Sequence, residues 1–153
     1  GISVYSTEQL EKILSHYDFD IVQAPLNIVD RRLAVSGWLS KLNKKNIEIH
    51  IRSVFLQGLL LKKRKLIPEK FKRWDDIWKN LEDHIYKNDI NPIELCLSYP
   101  LNFHEVNKVI VGVQNKTQLK EIINAYHYAK LKDFPKIESF DEDLINPTNW
   151  INL

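Results

Sequence analysis

Methionine is absent from this 153-residue chain, cysteine occurs once, and glycine only four times. The lone Cys96 cannot form an internal disulfide, and a single thiol suits a reducing compartment, so a cytoplasmic location is expected. No apolar stretch approaches the roughly 20 residues that a membrane-spanning helix needs. The longest, Val54 to Leu61, contains Gln57 and Gly58 and runs into Lys62-Lys63-Arg64-Lys65. Gly1-Ile2-Ser3-Val4 lacks the basic start and apolar region of a signal peptide. Charge of one sign is also scarce. Twenty-two Lys and Arg against 20 Asp and Glu leave +2, too little to argue for nucleic acid. The basic run Lys62 to Lys65 reads as a solvated loop before a polyanion site. The five histidines share no ligand spacing, and neither HExxH nor CxxC occurs, so no metal is expected. A GxSxG elbow, a P-loop and GxGxxG are likewise missing. With no methionine and a strand-like opening at Gly1, the chain reads as a fragment.

The residues present describe one domain over residues 1–153. Forty-four per cent are hydrophobic, and four Trp, six Tyr and six Phe exclude a disordered chain. Ile2 to Tyr5 reads as a strand end. Ser6 with Gln9 makes a capping box ahead of a helix that sets Leu10, Ile13, Leu14 and Tyr17 on one face. Asp20 to Gln23 reads as a short strand, stopped before Pro25. Asp30 is placed to cap a helix that turns Leu33, Trp38, Leu39 and Leu42 inward. Ile47 to Ser53 alternates apolar and polar, which suits a half-exposed antiparallel strand or a barrel strand with its polar members inward. Because each strand is followed by a helix and not a hairpin turn, the barrel reading is favoured.

Beyond the basic run, Pro68 is placed to start a helix carrying Phe71, Trp74, Trp78, Leu81 and Ile85, read as packing residues. Asn91-Pro92 starts another helix through Leu95, Cys96 and Tyr99, where burial makes Cys96 a packing residue before a nucleophile. Lys108 to Val113 reads as a buried strand, and Thr117 to Lys130 as an amphipathic helix. The tail, residues 131–153, is expected to be irregular, with Trp150 as its anchor. The order β-α-β-α-β-α-α-β-α predicts an α/β fold with a parallel sheet. A complete (β/α)8 barrel takes about 250 residues, so four βα units make a half-barrel. Its free edges predict self-association as a homodimer, or pairing with a missing N-terminal half.

Function in such barrels gathers where strands end and helices begin. Those ends carry Ser3, Gln23, Arg52-Ser53 and Gly112 to Lys116: small, amide and basic groups suited to an amide-bearing ring and phosphates. The helix starting near Thr117 directs free amides toward the preceding loop, although a plain strand-turn-helix reads equally well.

At these residues the sequence resembles the C-terminal half of the aldo/keto reductase family. Gly1-Ile2-Ser3 resembles the family's Gly-Val-Ser at the end of its fifth strand. Asp20 to Asn27 resembles its sixth, whose Gln, here Gln23, meets the nicotinamide carboxamide. Arg52 to Leu60 resembles the SPLGxGxL loop around the cofactor pyrophosphate, and Val109 to Leu119 the adenosine-phosphate loop. The tail Asn146 to Trp150 is similar to family C-termini. The resemblance implies an NADPH-dependent carbonyl oxidoreductase with NADP(H) held by Ser3, Gln23, Arg52, Ser53, Phe55, Gln57, Gly58, Gly112, Asn115, Lys116 and Gln118. It also implies departures. Val4 stands in place of Asn, Arg52 in place of a ring-stacking Tyr, Val54 in place of Pro, and Ile122 in place of an adenine-contacting Asn. The family's catalytic Asp, Tyr, Lys and His belong to its first four strands, so no catalytic residue is assigned and the isolated chain is expected to be inactive. The segment Leu59 to Trp74 is expected to cover part of the cofactor or substrate mouth. The alternative is a non-catalytic binding or assembly module.

Overall fold

Strands β1 (Ile2–Ser3), β2 (Ile21–Pro25), β3 (Glu48–Arg52) and β4 (Lys108–Val109) lie side by side in chain order, every neighbouring pair parallel. The computed structural model describes all residues, Gly1–Leu153. Parallel pairing resolves the alternation read in Ile47 to Ser53 in favour of the half-barrel. Val22, Ala24, Ile49 and Ile51 are at most 1% exposed, on the face that the helices cover. The opposite face is mostly polar. Register places Ser3 beside Gln23, Gln23 beside His50 and His50 beside Lys108, a row across all four strands. On this face Glu48 Oε1 lies 3.0 Å from both His50 Nε2 and Lys108 Nζ. Those contacts, His50 first, hold the Glu48 carboxyl below its usual range. None of the helices is long and apolar enough to cross a membrane.

Helix α1 (Thr7–Leu14) starts at the expected capping box: Gln9 N donates to Ser6 Oγ and Tyr5 N donates to Gln9 Oε1. Leu10 is buried, but the helix stops at Leu14 and leaves Tyr17 exposed, contrary to its inward assignment. The single helix expected after Asp30 is two, α2 (Arg32–Val35) and α3 (Trp38–Lys44). Gly37 separates them with φ of 76°, a left-handed conformation that glycine adopts freely and that ends helical hydrogen bonding.

Pro68 begins a 3₁₀ segment, Glu69–Trp74, and the regular helix α4 starts only at Asp75, ending at Asn88. Trp78 is buried there as a packing residue, its Nε1 donating to Phe71 O. Helix α5 (Pro92–Leu101) starts as expected, with Asn91 Oδ1 accepting from Ile93 N. The paired part of β4 is shorter than the sequence suggests. Ile110 N still donates to Ile51 O (2.7 Å), but β3 ends at Arg52, so Val111 to Gln114 have no strand to pair with. Helix α6 (Lys116–Tyr128) follows.

The tail is less irregular than expected. It contains helix α7 (Glu142–Ile145) and a 3₁₀ turn, Pro147–Asn152. Its deepest anchors are Leu144 and Ile145, at 0% and 2% exposure, while Trp150 is half-buried edge-on to Phe71. Arginines fasten the acidic side: Arg31 donates to Pro135 O (2.6 Å), Arg32 to Glu142 (2.6 Å) and Arg73 to Asp143 (2.7 Å).

Cys96 lies in α5 at 1% exposure, and burial pushes its thiol up to about 12. The neutral thiol is therefore favoured in the fold, and its contribution to stability is intact below about pH 9. As pH rises from there toward about 12, only the unfolded chain ionises, so stability falls. Cys96→Ala is expected to flatten this alkaline slope in urea titrations. An unchanged slope would remove the thiol as its cause.

Candidate functional site

The carboxyl ends of β2, β3 and β4 open onto a groove of about 840 Å³. In parallel α/β folds this end of the sheet faces the loops that can close around a ligand. Gln23 enters from β2 and Arg52 from the last position of β3. Gly112 and Gln114 line the stretch after β4, while α6 adds Gln118, Glu121 and Ile122.

The turn after β3 has an unusual backbone. Ser53, Leu56 and Gln57 all have positive φ, at 60°, 46° and 54°, followed by Gly58 at 80°. Such angles are costly for the three non-glycine residues and persist only where the surroundings enforce them. Leu56 is fully buried and Val54 is 2% exposed. The fully buried Asn27 donates from Nδ2 to Ser53 O (3.0 Å), and Leu56 N donates to the same carbonyl (2.9 Å). The result is a rigid turn rich in free donors. The amides of Phe55, Gln57 and Gly58 have no acceptor within the chain, and neither do those of Gly112 and Val113. All five residues line the groove, and free amide donors in such a loop suit an anion.

Arg52 is held from several sides. Its guanidinium lies 4.4 Å over the Tyr5 ring, Nη2 donates to Val4 O (3.1 Å), and Nη1 donates to Ser53 Oγ (3.2 Å). Its Nε is buried without a partner. Gln23 is oriented by Ser3, whose Oγ donates to Gln23 Oε1 (3.3 Å), leaving the Gln23 amide nitrogen as a free donor. The charged residues of the groove wall are Arg52, Lys62 and Glu121, and no Tyr, His, Asp or Cys lines it. Such a wall holds anions and amides better than it moves protons.

The groove therefore gathers Gln23, Arg52, Ser53, Phe55, Gln57, Gly58, Gly112 and Gln118 from the residues singled out in sequence. Ser3 stands behind Gln23. Asn115 caps α6 by accepting from Gln118 N, Gln118 Oε1 accepts from Gln114 N, and Lys116 is exposed outside the wall. Of the segment Leu59 to Trp74, only Leu61 and Lys62 reach the groove, while Ile67 and Phe71 are buried in the core. Sequence reasoning missed Lys62, Ile93 and Glu121. Glu121 follows Gln118 by three residues on the same helical face, a signal that could have found it. Ile93 lies on a separate helix and carried none.

The sequence profile of the Aldo/keto reductase family matches residues 1–142. The chain belongs to this family. No curated protein matches it. Among solved structures it is similar to the aldo-keto reductase AKR11C1 from Bacillus halodurans in its apo form, with a TM-score of 0.69 and 19% identity over 93% of this chain and 52% of that one. The holo form of the same enzyme gives 0.63 and 19%, over 86% and 45%. The thermostable aldo-keto reductase Tm1743, solved with the inhibitor epalrestat, gives 0.54 and 20%, over 99% and 47%. The chain thus spans about half the length of these aldo-keto reductases, and the likeness establishes a shared fold. Aldo/keto reductases generally use NAD(P)H. The groove fits such a group in its chemistry, because residues with unpaired amides, a lysine and an arginine line it against the single carboxylate of Glu121.

Proposed function

We propose that this chain is the cofactor-cradling half of an NADPH-dependent carbonyl oxidoreductase. The observation carrying this reading is the convergence of unpaired amides, Gln23 and Arg52 on one groove in an aldo/keto reductase chain. When bound, NADPH supplies a hydride to a carbonyl carbon. The free amides of Gln57, Gly58 and Gly112, with Lys62, hold its phosphates. The Gln23 amide, fixed by Ser3, orients the carboxamide-bearing ring at the sheet end. Ser53, Phe55 and Gln118 complete the wall, while Asn115 and Lys116 shape the start of α6. Proton delivery to the carbonyl oxygen is assigned to a partner segment, and the chain alone is inactive in this reading.

A second reading follows from the sheet edges. β1 and β4 each have a neighbour on one side only, which favours pairing with an N-terminal half-barrel or a second copy of this chain.

The test is a titration with NADPH, followed by the nucleotide's own fluorescence. A Cβ added at Gly112 meets no atom within 4 Å, so Gly112→Val is expected to keep the fold while adding bulk beside the groove. It is expected to weaken binding at least about ten-fold with an unchanged melting temperature. Equal affinity in wild type and variant would misplace the cradle. A chain that takes up no NADPH and elutes at twice its mass follows the second reading.

A further inference from the structure

Arg52 brings an unpaired cation to the sheet end of the groove, whose one carboxylate, Glu121, belongs to α6. It forms no ion pair, and its three restraints are the Tyr5 ring, the Val4 carbonyl and the Ser53 hydroxyl, all neutral. These contacts fix the position of the guanidinium without cancelling its field. Its Nε is buried without a partner and the side chain is part-buried, so its field is screened less than that of a fully solvated cation.

The two ends of the groove differ in chemistry. The unpaired amides of Gln57, Gly58, Gly112 and Val113 belong to the loops beyond the strands, at one end. The Gln23 amide and the Arg52 cation lie at the other. Under the cofactor reading above, on which this inference rests, phosphates belong to the first end and the nicotinamide ring to the second. Loss of hydride turns that neutral ring into a pyridinium cation and leaves the phosphates unchanged. Phosphate contacts therefore cancel when the two oxidation states are compared, and a fixed cation beside the ring does not.

We infer that Arg52 makes the groove selective for oxidation state, binding NADPH more tightly than NADP⁺. Like charges a few ångströms apart near a protein surface repel strongly enough for a preference of roughly ten-fold. By linkage, ten-fold tighter holding of the reduced form raises the potential of the bound two-electron couple by about 30 mV. The oxidised product is then the weaker ligand and leaves readily after hydride transfer.

Isothermal titration of the full chain with NADPH and with NADP⁺ tests the inference without turnover. Wild type is expected to favour NADPH about ten-fold. Arg52→Gln should bring the ratio near unity, mainly by improving NADP⁺ binding, and Arg52→Lys, which keeps the charge, should retain most of the preference. Melting curves of both variants separate loss of fold from loss of selectivity. A wild-type ratio near unity overturns the inference and leaves the cradle standing. So does an equal loss of both ligands in Arg52→Gln, which would assign Arg52 to a phosphate. Failure of wild type to bind either nucleotide overturns the cofactor reading itself.

Discussion

Arg32→Ala is expected to destabilise the protein by about 3–5 kcal/mol, because it strands a buried carboxylate. Asp30 is 1% exposed, and the Arg32 guanidinium meets both its oxygens, Nε to Oδ1 at 2.9 Å and Nη2 to Oδ2 at 3.0 Å. The same guanidinium donates to Tyr5 O (3.1 Å) and Glu142 (2.6 Å), joining the end of β1, the start of α2 and the tail. Its pKa is raised despite burial, since Asp30 and Glu142 outweigh the desolvation that lowers it. Urea unfolding checks the size of the effect. Arg32→Lys should recover part of it, as an ammonium keeps the charge but cannot fork across two carboxylate oxygens. The double variant Asp30→Asn, Arg32→Ala should be more stable than Arg32→Ala alone, since no bare charge remains. A loss under about 1 kcal/mol in Arg32→Ala would mean that Asp30 is solvated once its partner is gone.

Asn27→Ala is expected to damage stability and binding together. The Asn27 side chain, at 0% exposure, accepts from Val29 N (2.9 Å) and Asp30 N (2.8 Å) and donates to Ser53 O (3.0 Å). Its removal orphans two buried amides and frees the turn after β3, at a cost of about 2–4 kcal/mol. The positive-φ residues Ser53, Leu56 and Gln57 then lose one of their restraints. NADPH affinity should fall further than stability at working temperature explains, because the donors are no longer held in register. Denaturant titration and NADPH titration on the same preparation give both numbers. Unchanged affinity in a destabilised variant would detach the turn from the site.

The order of the elements was legible because each strand is followed by a helical pattern, which leaves parallel pairing as the economical topology. Boundaries were harder to read. Leu33 and Trp38 to Leu42 fit one helical stripe, and periodicity gives no warning that Gly37 divides it. In the tail, Leu144 and Ile145 directly follow the acids Asp141 to Asp143, which suggest solvent, yet Arg32 pairs with Glu142 and Arg73 with Asp143, which lets the leucine and isoleucine go inward. In the site, Gln23, Arg52 and Gly112 could be found because strand ends are recognisable. Lys62 could not, since the first of four consecutive cations looks like a solvated loop until the fold turns it toward the groove. Asn27 was visible as part of a motif, but its hold on Ser53, 26 residues away, is a tertiary fact with no local trace.

The uncovered sheet face bears on how such a chain can evolve. Its row of Ser3, Gln23, His50 and Lys108, with Glu48 bridging the last two, is at ease in water. An inner wall of leucines would make every interrupted copy of the gene an aggregation hazard. A hydrophilic wall lowers that hazard, so the polar row weakens the selection against a gene for half a barrel.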